Sequence, residues 1–378
     1  GSWGAEHTMD EEKLTNGHKV IANKDGLANT ETDNPSFMLS LDGRPQEESG
    51  KVFGGVLAWR GNYKLKLDVR NTALNIIVGM NEESSQYILE PKETFVTPEF
   101  AMTYSTNGKG GVSRAFHHWA RQYKMNQGER LHDILLNSWE GVYFKVDQEV
   151  MAQMMKDMSQ LGGELFVMDD GWFGHRESDD SSLGDWYVNE KKLKGGLSSL
   201  IERVNAEGLK FGIWYEPEMI SPDSDLYRAH PDWCLHVPNR ENSPARLQYV
   251  LDMTRKDVRD NIFAQMYKVL SENKIDYVKW DFNRNLTEVG SALLPPERQK
   301  EVMHRFVLGT YDLMDRFVKA FPNILFENCS GGGGRFDAGM LYYSPQIWCS
   351  DNTDAIERLT IQFGTSMCYP ISSFGAHV

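Results

Sequence analysis

The stretch Ile275-Asp-Tyr-Val-Lys-Trp-Asp-Phe-Asn-Arg-Asn285 decides the fold, because it changes from apolar to polar within one short segment. Its first half is β-prone, which predicts a short buried strand. Its second half gathers Lys279, Asp281 and Asn283, which lie two residues apart and share one face of a strand. Parallel α/β barrels carry their active sites at the carboxyl ends of such strands.

Lys279 and Asp281 allow two interpretations. An ammonium group lowers the pKa of a neighbouring carboxyl group and so keeps that carboxyl group charged at neutral pH. A charged carboxylate that is held in place is what a nucleophile requires. The alternative is a buried ion pair that closes a barrel and takes no part in chemistry. This stretch alone leaves both interpretations open.

From about residue 130 the chain repeats a strand-then-helix pattern, which predicts a (β/α)₈ TIM barrel of the usual size, about 250 residues. The predicted strands are 136–144, 164–170, 209–219, 246–251, 275–282, 324–329 and 346–351, and the segment 365–373 is predicted to lead into the eighth. The predicted helices are 147–161, 196–207, 257–273, 296–320 and 354–363.

Residues 1–128 show a different pattern. Short β-prone runs separated by Gly, Asn and Asp indicate antiparallel sheets, and a helix-like segment at 113–124 follows them. We therefore predict an N-terminal β-sandwich domain over 1–128 and a catalytic barrel over 129–378. The β-prone runs are 36–41, 52–59, 63–69, 75–78 and 95–104.

Composition excludes several classes of protein. The 378 residues carry a formal net charge of −14 with both signs interspersed, which argues against nucleic acid or an anionic membrane as a partner. No apolar run reaches transmembrane length. The four Cys residues are widely spaced and form neither a zinc motif nor a disulfide framework, so we expect a reducing, cytoplasmic location.

Nearly every predicted strand ends in carboxylates, amides or aromatic residues. Because strand ends meet on one face of a barrel, we expect a polar pocket there, and two carboxylates suffice for glycoside hydrolysis. The residues concerned are Trp139, Glu140, Asp169 to Trp172, Trp214, Glu216, Glu218, Arg246, Asp252, Glu327 to Ser330, and Cys349 to Asp354.

Two of these groups, and the glycine run 331–334 that follows Ser330, have alternative interpretations. Asp351 is either an acid with a raised pKa or a cap for the helix that begins near Asp354. The pair Asp169-Asp170 points to opposite faces of a strand without a His at ligand spacing, so it suits sugar hydroxyls better than a metal. The run 331–334 is either a backbone that approaches a ligand closely or a flexible turn. No metal and no cofactor are expected.

Six motifs, taken together and in this order, resemble glycoside hydrolase family 36, and in particular its bacterial and fungal α-galactosidases. They are Asp169-Asp-Gly-Trp-Phe-Gly174, Leu183-Gly-Asp-Trp186, Trp214-Tyr-Glu-Pro-Glu-Met219, Lys279-Trp-Asp-Phe-Asn-Arg284, Glu327-Asn-Cys-Ser-Gly-Gly-Gly-Gly-Arg-Phe-Asp337 and Ser350-Asp-Asn-Thr-Asp-Ala355.

The resemblance implies a retaining enzyme that acts on α-1,6-galactosides such as melibiose and raffinose. Asp281 matches the nucleophile and Asp351 the acid/base. The positions that match the galactose pocket are Trp139, Asp169, Asp170, Trp214, Arg246, Lys279, Cys329 and Gly331. We add Asn283 as a substrate-binding candidate, because it shares the strand face of Asp281.

The resemblance leaves alternatives open. An α-N-acetylgalactosaminidase or an α-galactosyl transglycosylase would use the same residues, whereas a silent sugar-binding module would not need both Asp281 and Asp351. Family members are often tetramers, so we expect a homo-oligomer for the full-length protein. A neighbour's N-terminal loop reaches the pocket in such tetramers, and the region of Trp3 is a candidate for that loop.

Both ends of the chain look cut, since it begins without Met and stops in an apolar, strand-like run. We expect a fragment without the last barrel helix and the C-terminal β-domain. Exposed apolar barrel surface would then make residues 1–378 poorly soluble or inactive alone.

Overall fold

The computed structural model describes residues 2–28 and 30–376. The chain forms two compact units, one made of Gly1–Arg130 with Asn328–Val378 and the other of Leu131–Glu327. Throughout the described ranges, no helix is both long enough and apolar enough for a membrane crossing.

The N-terminal part of the first unit consists of two antiparallel sheets of three strands each, with strand orders β1-β4-β5 and β2-β3-β6. The predicted β-rich region is thus present, and β1 is an additional strand that its largely polar sequence did not indicate. The elements are β1 (Gly17–Asn23), β2 (Ser36–Ser40), β3 (Val52–Ala58), β4 (Tyr63–Arg70), β5 (Ala73–Met80), β6 (Glu99–Ser105) and α1 (Gly108–Trp119).

The second unit alternates strands with helices. Its strands are β7 (Leu135–Asn137), β8 (Leu165–Met168), β9 (Lys210–Tyr215), β10 (Met219–Ile220), β11 (Tyr249–Val250), β12 (Tyr277–Trp280) and β13 (Leu325–Asn328). Its helices are α2 (Trp139–Val142), α3 (Gln148–Gln160), α4 (Gly196–Ala206), α5 (Asp225–Ala229), α6 (Lys256–Glu272) and α7 (Val302–Ala320). Strands β7, β8, β9 and β12 pair in parallel in that order, and β13 lies beside β12.

The interior of this sheet is closely packed around β9. Leu165, Val167, Tyr277 and Leu325, from three different strands, form one buried cluster. Gly212 lies among them, and a Cβ atom there would lie only 2.9 Å from Val167 Cγ2 and 3.0 Å from Tyr277 Cβ. A glycine is therefore required where the neighbouring side chains close over the strand.

Two predicted strands of this unit are wrong in their extent. The strand predicted at 136–144 ends at Asn137, whose side-chain Oδ1 accepts a hydrogen bond from Trp139 N (2.7 Å) and turns the chain into α2. The strand predicted at 246–251 shrinks to β11, which pairs antiparallel with β10. It does not enter the parallel sheet, because β12 pairs with β9 directly.

The C-terminal part of the first unit contains β14 (Gln346–Trp348), α8 (Ala355–Cys368) and β15 (Phe374–Gly375), and β14 pairs with β15 in parallel. The segment 365–373 was predicted to lead into the eighth strand, and β15 does follow it at Phe374, but residues 365–368 continue α8 beyond the predicted end of that helix at 363. Nothing in Thr365-Ser-Met-Cys368 interrupts a helix, and Pro370 is the first residue that does.

Candidate active site

Asp281 follows β12 directly and is held by the sheet beneath it. Lys279 pairs with Trp214 of β9, and the backbone nitrogen of Asp281 donates to Tyr215 O at 2.8 Å. The side chain of Asp281 is only 6% exposed. The β-prone, apolar start of the stretch thus fixes where this carboxylate lies.

Three donors orient the carboxylate of Asp281. Its Oδ2 accepts hydrogen bonds from Asn283 Nδ2 (2.7 Å) and from the indole nitrogen of Trp214 (3.1 Å). Its Oδ1 accepts from the backbone nitrogen of Phe282 at 2.9 Å. Donors of this kind favour the charged form of a carboxyl group and prevent its rotation.

The pKa of Asp281 is lowered although the group is buried. Burial acts to raise it, but the positive charge of Lys279, the hydrogen bond from Asn283 and the charge of Arg246 together outweigh burial. The ion pair of Lys279 is with Asp169, at 2.9 Å between Nζ and Oδ2. Lys279 therefore serves both carboxylates, one by contact and the other through its electric field.

Asp169 and Asp170 follow β8 and turn to different partners, as expected for adjacent residues of a strand. Asp169 Oδ2 accepts from Asn137 Nδ2 (2.6 Å) as well as from Lys279. Asp170 forms a bidentate ion pair with Arg176. The Nε of Arg176 lies 3.0 Å from Asp170 Oδ1, and its Nη2 lies 2.8 Å from Asp170 Oδ2. Burial raises the pKa of Asp170, and Arg176 opposes that shift.

Arg176 begins a row of alternating charges. Its Nη2 lies 3.6 Å from Asp179 Oδ1, and the same oxygen lies 3.3 Å from Arg246 Nη2. The field of Arg246 in turn lowers the pKa of Asp281. We call this set the charged series; it consists of four carboxylates and three cations, namely Asp169, Asp170, Asp179, Asp281, Arg176, Arg246 and Lys279.

Arg246 belongs to a strained loop and not to the strand that was predicted for it. Arg246 and Leu247 both have left-handed backbone angles, with φ of 51° and 60°. Such angles are costly for residues other than glycine, and two in succession persist only when the surroundings impose them. Arg284 supplies that constraint, since its Nη1 donates to the carbonyl oxygens of Ser243 (3.0 Å) and Gln248 (2.5 Å).

Glu216 is a further buried carboxyl group near Asp281, with 1% of its surface exposed. Its Oε1 accepts from the backbone nitrogen of Asn283 (2.6 Å) and from Gln248 Nε2 (2.9 Å). Burial and the negative charge of Asp281 raise the pKa of Glu216 to about 7, against the charges of Arg246 and Arg176. It holds the backbone of the residue that orients Asp281.

The two tryptophans predicted for the pocket differ in exposure. Trp214 is 2% exposed, and its ring packs against Phe173 and Trp186 while its indole nitrogen reaches Asp281. Its described contacts therefore hold the carboxylate of Asp281 in place. Trp139 on α2 is half-buried and has edge contacts with the rings of Tyr143 and Phe144.

In the first unit, Asp351 lies in the loop between β14 and α8. It is exposed, and its Oδ1 accepts from the indole nitrogen of Trp348 at 2.8 Å. The helix-cap interpretation of Asp351 is wrong, because Asp354 caps α8 by accepting from Ile356 N (2.9 Å) and Glu357 N (3.1 Å). Asp351 is thus available for another role.

The glycine run of the same unit approaches its own chain closely. A Cβ atom at Gly333 would lie 2.2 Å from Cys349 O, whereas Gly331 has a φ of +49° and open space where its Cβ would be. Cys329 is buried, and its Sγ contacts Gly332 O at 3.8 Å. Of the predicted site residues, Cys329, Gly331 and Asp351 belong to this unit, and the others belong to the second unit.

The sequence did not assign Arg176, Asp179, Asn137 or Gln248 to the site. Glu216 stood out as a carboxylate at a strand end but received no role. The positions of Arg176 and Gln248 depend on loops, for which the sequence offers no periodic signal. Asn137 was open to prediction, because an Asn two residues before a helix commonly accepts from its first backbone nitrogen.

Comparison with known proteins gives consistent matches along the whole chain. Residues 94–378 match the family model described as Melibiase, and residues 1–90 match the Glycosyl hydrolase family 36 N-terminal domain. The chain is 48% identical to the α-galactosidase AgaA of Geobacillus stearothermophilus and 46% identical to the α-galactosidase Mel36A of Lactobacillus acidophilus. Each alignment covers 100% of this chain and 52% of the relative, so the chain spans about half the length of the curated relatives it matches.

A crystal structure of a substituted AgaA in complex with raffinose matches with a TM-score of 0.97 at 46% identity, over 100% of this chain and 53% of that one. The predicted fold, a (β/α) barrel preceded by an N-terminal β-domain, is confirmed by this likeness.

Proposed function

The chain belongs to the melibiase family, with a glycosyl hydrolase family 36 N-terminal domain before its barrel, and on this premise we propose that it is a retaining α-galactosidase. The substrates we propose are terminal α-1,6-linked galactosides such as melibiose and raffinose. The observation that carries the proposal is the buried carboxylate of Asp281, oriented by three donors and kept charged by Lys279.

In the first step, a carboxylate oxygen of Asp281 forms a bond to the anomeric carbon as the glycosidic bond breaks. Asp351 gives its proton to the departing oxygen. We propose Asp281 Oδ1 as the attacking atom, because among the described contacts it accepts one hydrogen bond and Oδ2 accepts two. The product is a β-linked galactosyl ester on Asp281.

In the second step, Asp351, now a carboxylate, takes a proton from water. The water oxygen attacks the anomeric carbon, and the ester bond to Asp281 breaks. Two inversions return the α configuration to galactose. The exposure of Asp351 supports this role, because its carboxyl group must change protonation state twice in each turnover.

The charged series is proposed to stabilise the transition state electrostatically. Positive charge develops on the sugar ring as the glycosidic bond breaks, and oriented negative groups in a water-poor site stabilise it. Four carboxylates against three cations leave the series with an excess of negative charge.

The remaining predicted residues are proposed to recognise the sugar. Asp169 and Asp170 would accept hydrogen bonds from neighbouring hydroxyl groups, and both are already fixed by a cation. We assign substrate contacts also to Trp139, Trp214, Arg246, Lys279, Asn283, Cys329 and Gly331.

We propose in addition that the division at 128/129 marks the domain boundary and that the full-length protein is a homo-oligomer, with a tetramer as the first candidate. The small number and wide spacing of the cysteines support a cytoplasmic location. The net charge of −14 supports the absence of a nucleic-acid partner.

The proposal is tested by following the hydrolysis of raffinose and of a nitrophenyl α-galactoside, with the first anomer of free galactose identified by NMR. We expect turnover of both and α-galactose as the first product. An initial β-anomer would contradict a retaining mechanism. Preferential turnover of a nitrophenyl α-N-acetylgalactosaminide would favour the related activity, and transfer to sugar acceptors in place of water would favour a transglycosylase.

A further inference from the structure

Glu6 is a buried carboxylate in the N-terminal part of the first unit, and none of its surface is exposed. Its Oε2 accepts a hydrogen bond from the hydroxyl group of Ser350 at 2.5 Å. Its Oε1 lies 3.5 Å from the backbone nitrogen of Gly333, a longer contact. Glu6 therefore contacts the residue before Asp351 and the glycine run, although it lies far from both in the sequence.

The residue after Asp351 is held by the same N-terminal segment. Asn352 Nδ2 donates to Gly4 O at 2.8 Å. The backbone nitrogen of Asn352 donates to Ser350 Oγ at 3.1 Å, so this hydroxyl group accepts from one side and donates to Glu6 on the other. The direction of the Ser350 hydroxyl group is thus determined, and both neighbours of Asp351 are attached to residues 4–6.

Close packing adds to these bonds. A Cβ atom at Gly332 would lie 2.7 Å from Glu6 Oε1 and 3.0 Å from the backbone nitrogen of Asp351. The carboxylate of Glu6, the backbone of Gly332 and the backbone of Asp351 therefore lie in direct succession. A shift of Glu6 would be transmitted to Asp351 through the glycine as well as through Ser350.

A general acid must lie within hydrogen-bonding distance of the atom it protonates, and displacement by about 1 Å can reduce the rate about 100-fold. A loop that is exposed to solvent does not provide such precision by itself. A hydrogen bond from a hydroxyl group to a buried carboxylate is short and strong, and fixes the group that donates it.

We propose that Glu6 is a positioning residue for Asp351, an inference that rests on the acid/base role proposed above. Glu6 is fully buried, so we assign it no contact with the sugar. It holds Ser350 and the glycine run, and through them it sets the position of the Asp351 backbone. The N-terminal part of the first unit thereby contributes to proton transfer.

The test is the Glu6→Ala variant of the protein. A misplaced acid impairs only those leaving groups that need a proton, so kcat/KM for raffinose should fall at least about tenfold further than kcat/KM for the nitrophenyl galactoside. The matched control is Glu12→Ala, which removes an exposed carboxylate paired with Lys19 at 2.7 Å and should change neither value.

Two more variants separate positioning from general stability. Ser350→Ala removes the hydroxyl group at the other end of the bond and should likewise lower kcat/KM more for raffinose than for the nitrophenyl galactoside. The double variant with Glu6→Ala should lose no more raffinose activity than either single variant. Glu6→Gln keeps an acceptor for Ser350 and should regain most of the raffinose activity.

Equal losses on both substrates in Glu6→Ala, or no loss, would overturn the inference. If Glu6→Ala fails to fold, Ser350→Ala decides, and an equal loss on both substrates there overturns it as well. The proposed function fails separately, because then Asp351→Ala itself would affect both substrates alike.

Discussion

Asp281 and Asp351 both follow a strand, yet their surroundings differ in almost every respect. Asp281 is 6% exposed and accepts hydrogen bonds from Asn283, Trp214 and the backbone, and cations hold its pKa down. Asp351 is exposed and accepts from Trp348. One carboxyl group is fixed in its charged state, whereas the other can exchange protons with water.

The difference fits the two separate tasks that are proposed for these residues. A nucleophile must remain ionised and point in one direction, and burial among donors and cations provides both. An acid/base must be protonated in one step and charged in the next, which a firmly held charge would prevent. The comparison therefore predicts different consequences when each carboxylate is altered.

The largest effect is expected at Asp281. The Asp281→Asn variant should lose about 10⁴-fold or more in kcat on raffinose and on the nitrophenyl galactoside alike, because an amide cannot form the ester. The variant should remain folded, as shown by circular dichroism. Asp312→Asn, which alters an exposed carboxylate of α7, is the control and should be fully active. Near-normal activity of Asp281→Asn would remove it as the nucleophile.

A smaller and selective effect is expected at Asp351. Asp351→Ala should lose about 10²- to 10⁴-fold on raffinose, the range of general acid catalysis, and much less on the first step with the nitrophenyl galactoside. Added azide should restore turnover of the aryl substrate and give α-galactosyl azide, because it attacks the β-linked intermediate without a base. Equal losses without rescue by azide would leave Asp351 without a catalytic role.

Azide also distinguishes the two carboxylates directly. In Asp281→Gly, azide would enter the space of the missing nucleophile and give β-galactosyl azide in a single inversion. Opposite anomers from the two variants, measured by NMR, would confirm the assigned roles. The same anomer from both would contradict them.

The next effect concerns the surroundings of Asp170. Arg176→Met leaves Asp170 buried without its ion pair, which should lower the free energy of unfolding by about 3–5 kcal/mol and raise KM. Urea denaturation and steady-state kinetics measure the two quantities. Arg228→Met breaks exposed pairs with Asp223 and Asp225 and should change the free energy of unfolding far less, because solvent screens these charges. A similar loss in both variants would show that burial does not strengthen the Arg176 pair.

The smallest effect is expected for Glu216→Gln, and it should depend on pH. In the folded protein the pKa of Glu216 is about 7, against an ordinary value of 4.5, so folding favours its protonated form. The wild-type free energy of unfolding therefore loses a contribution as pH rises from about 4.5 to about 7. Gln does not titrate. Thermal unfolding should therefore show that the stability of the variant rises relative to that of the wild type across this interval. A pH-independent difference would contradict the assignment.

The sequence predicted best those parts in which local composition and position agree. The stretch from Ile275 to Asn285 is apolar where the strand is buried and polar where it ends, and Asp281 lies where this pattern predicts. The prediction was wrong where a short-range contact redirected the chain. Asn137 turns the chain into α2 after three residues of β7, although the residues that follow remain β-prone.

The site was harder to predict than the fold, because its supporting residues come from loops. Arg176, Gln248 and Glu6 have no periodicity that distinguishes them, and their burial depends on contacts between distant segments. The ion pair of Lys279 illustrates the same limit. Its neighbour Asp281 was the obvious partner in the sequence, but Asp169 on another strand takes the contact.

The charged series has a consequence for which substitutions this chain can accept. Each buried member is balanced by a neighbour, so replacing one alone leaves an unpaired charge and costs about 3–5 kcal/mol, a large part of the stability of a typical domain. Acceptable replacements must occur in pairs, which random mutation rarely supplies. Selection for a folded chain is then enough to preserve these residues, even in a descendant whose turnover has ceased. The presence of the whole series is thus evidence of a folded chain, whereas Asp351, an exposed carboxyl group, reports on the proposed chemistry.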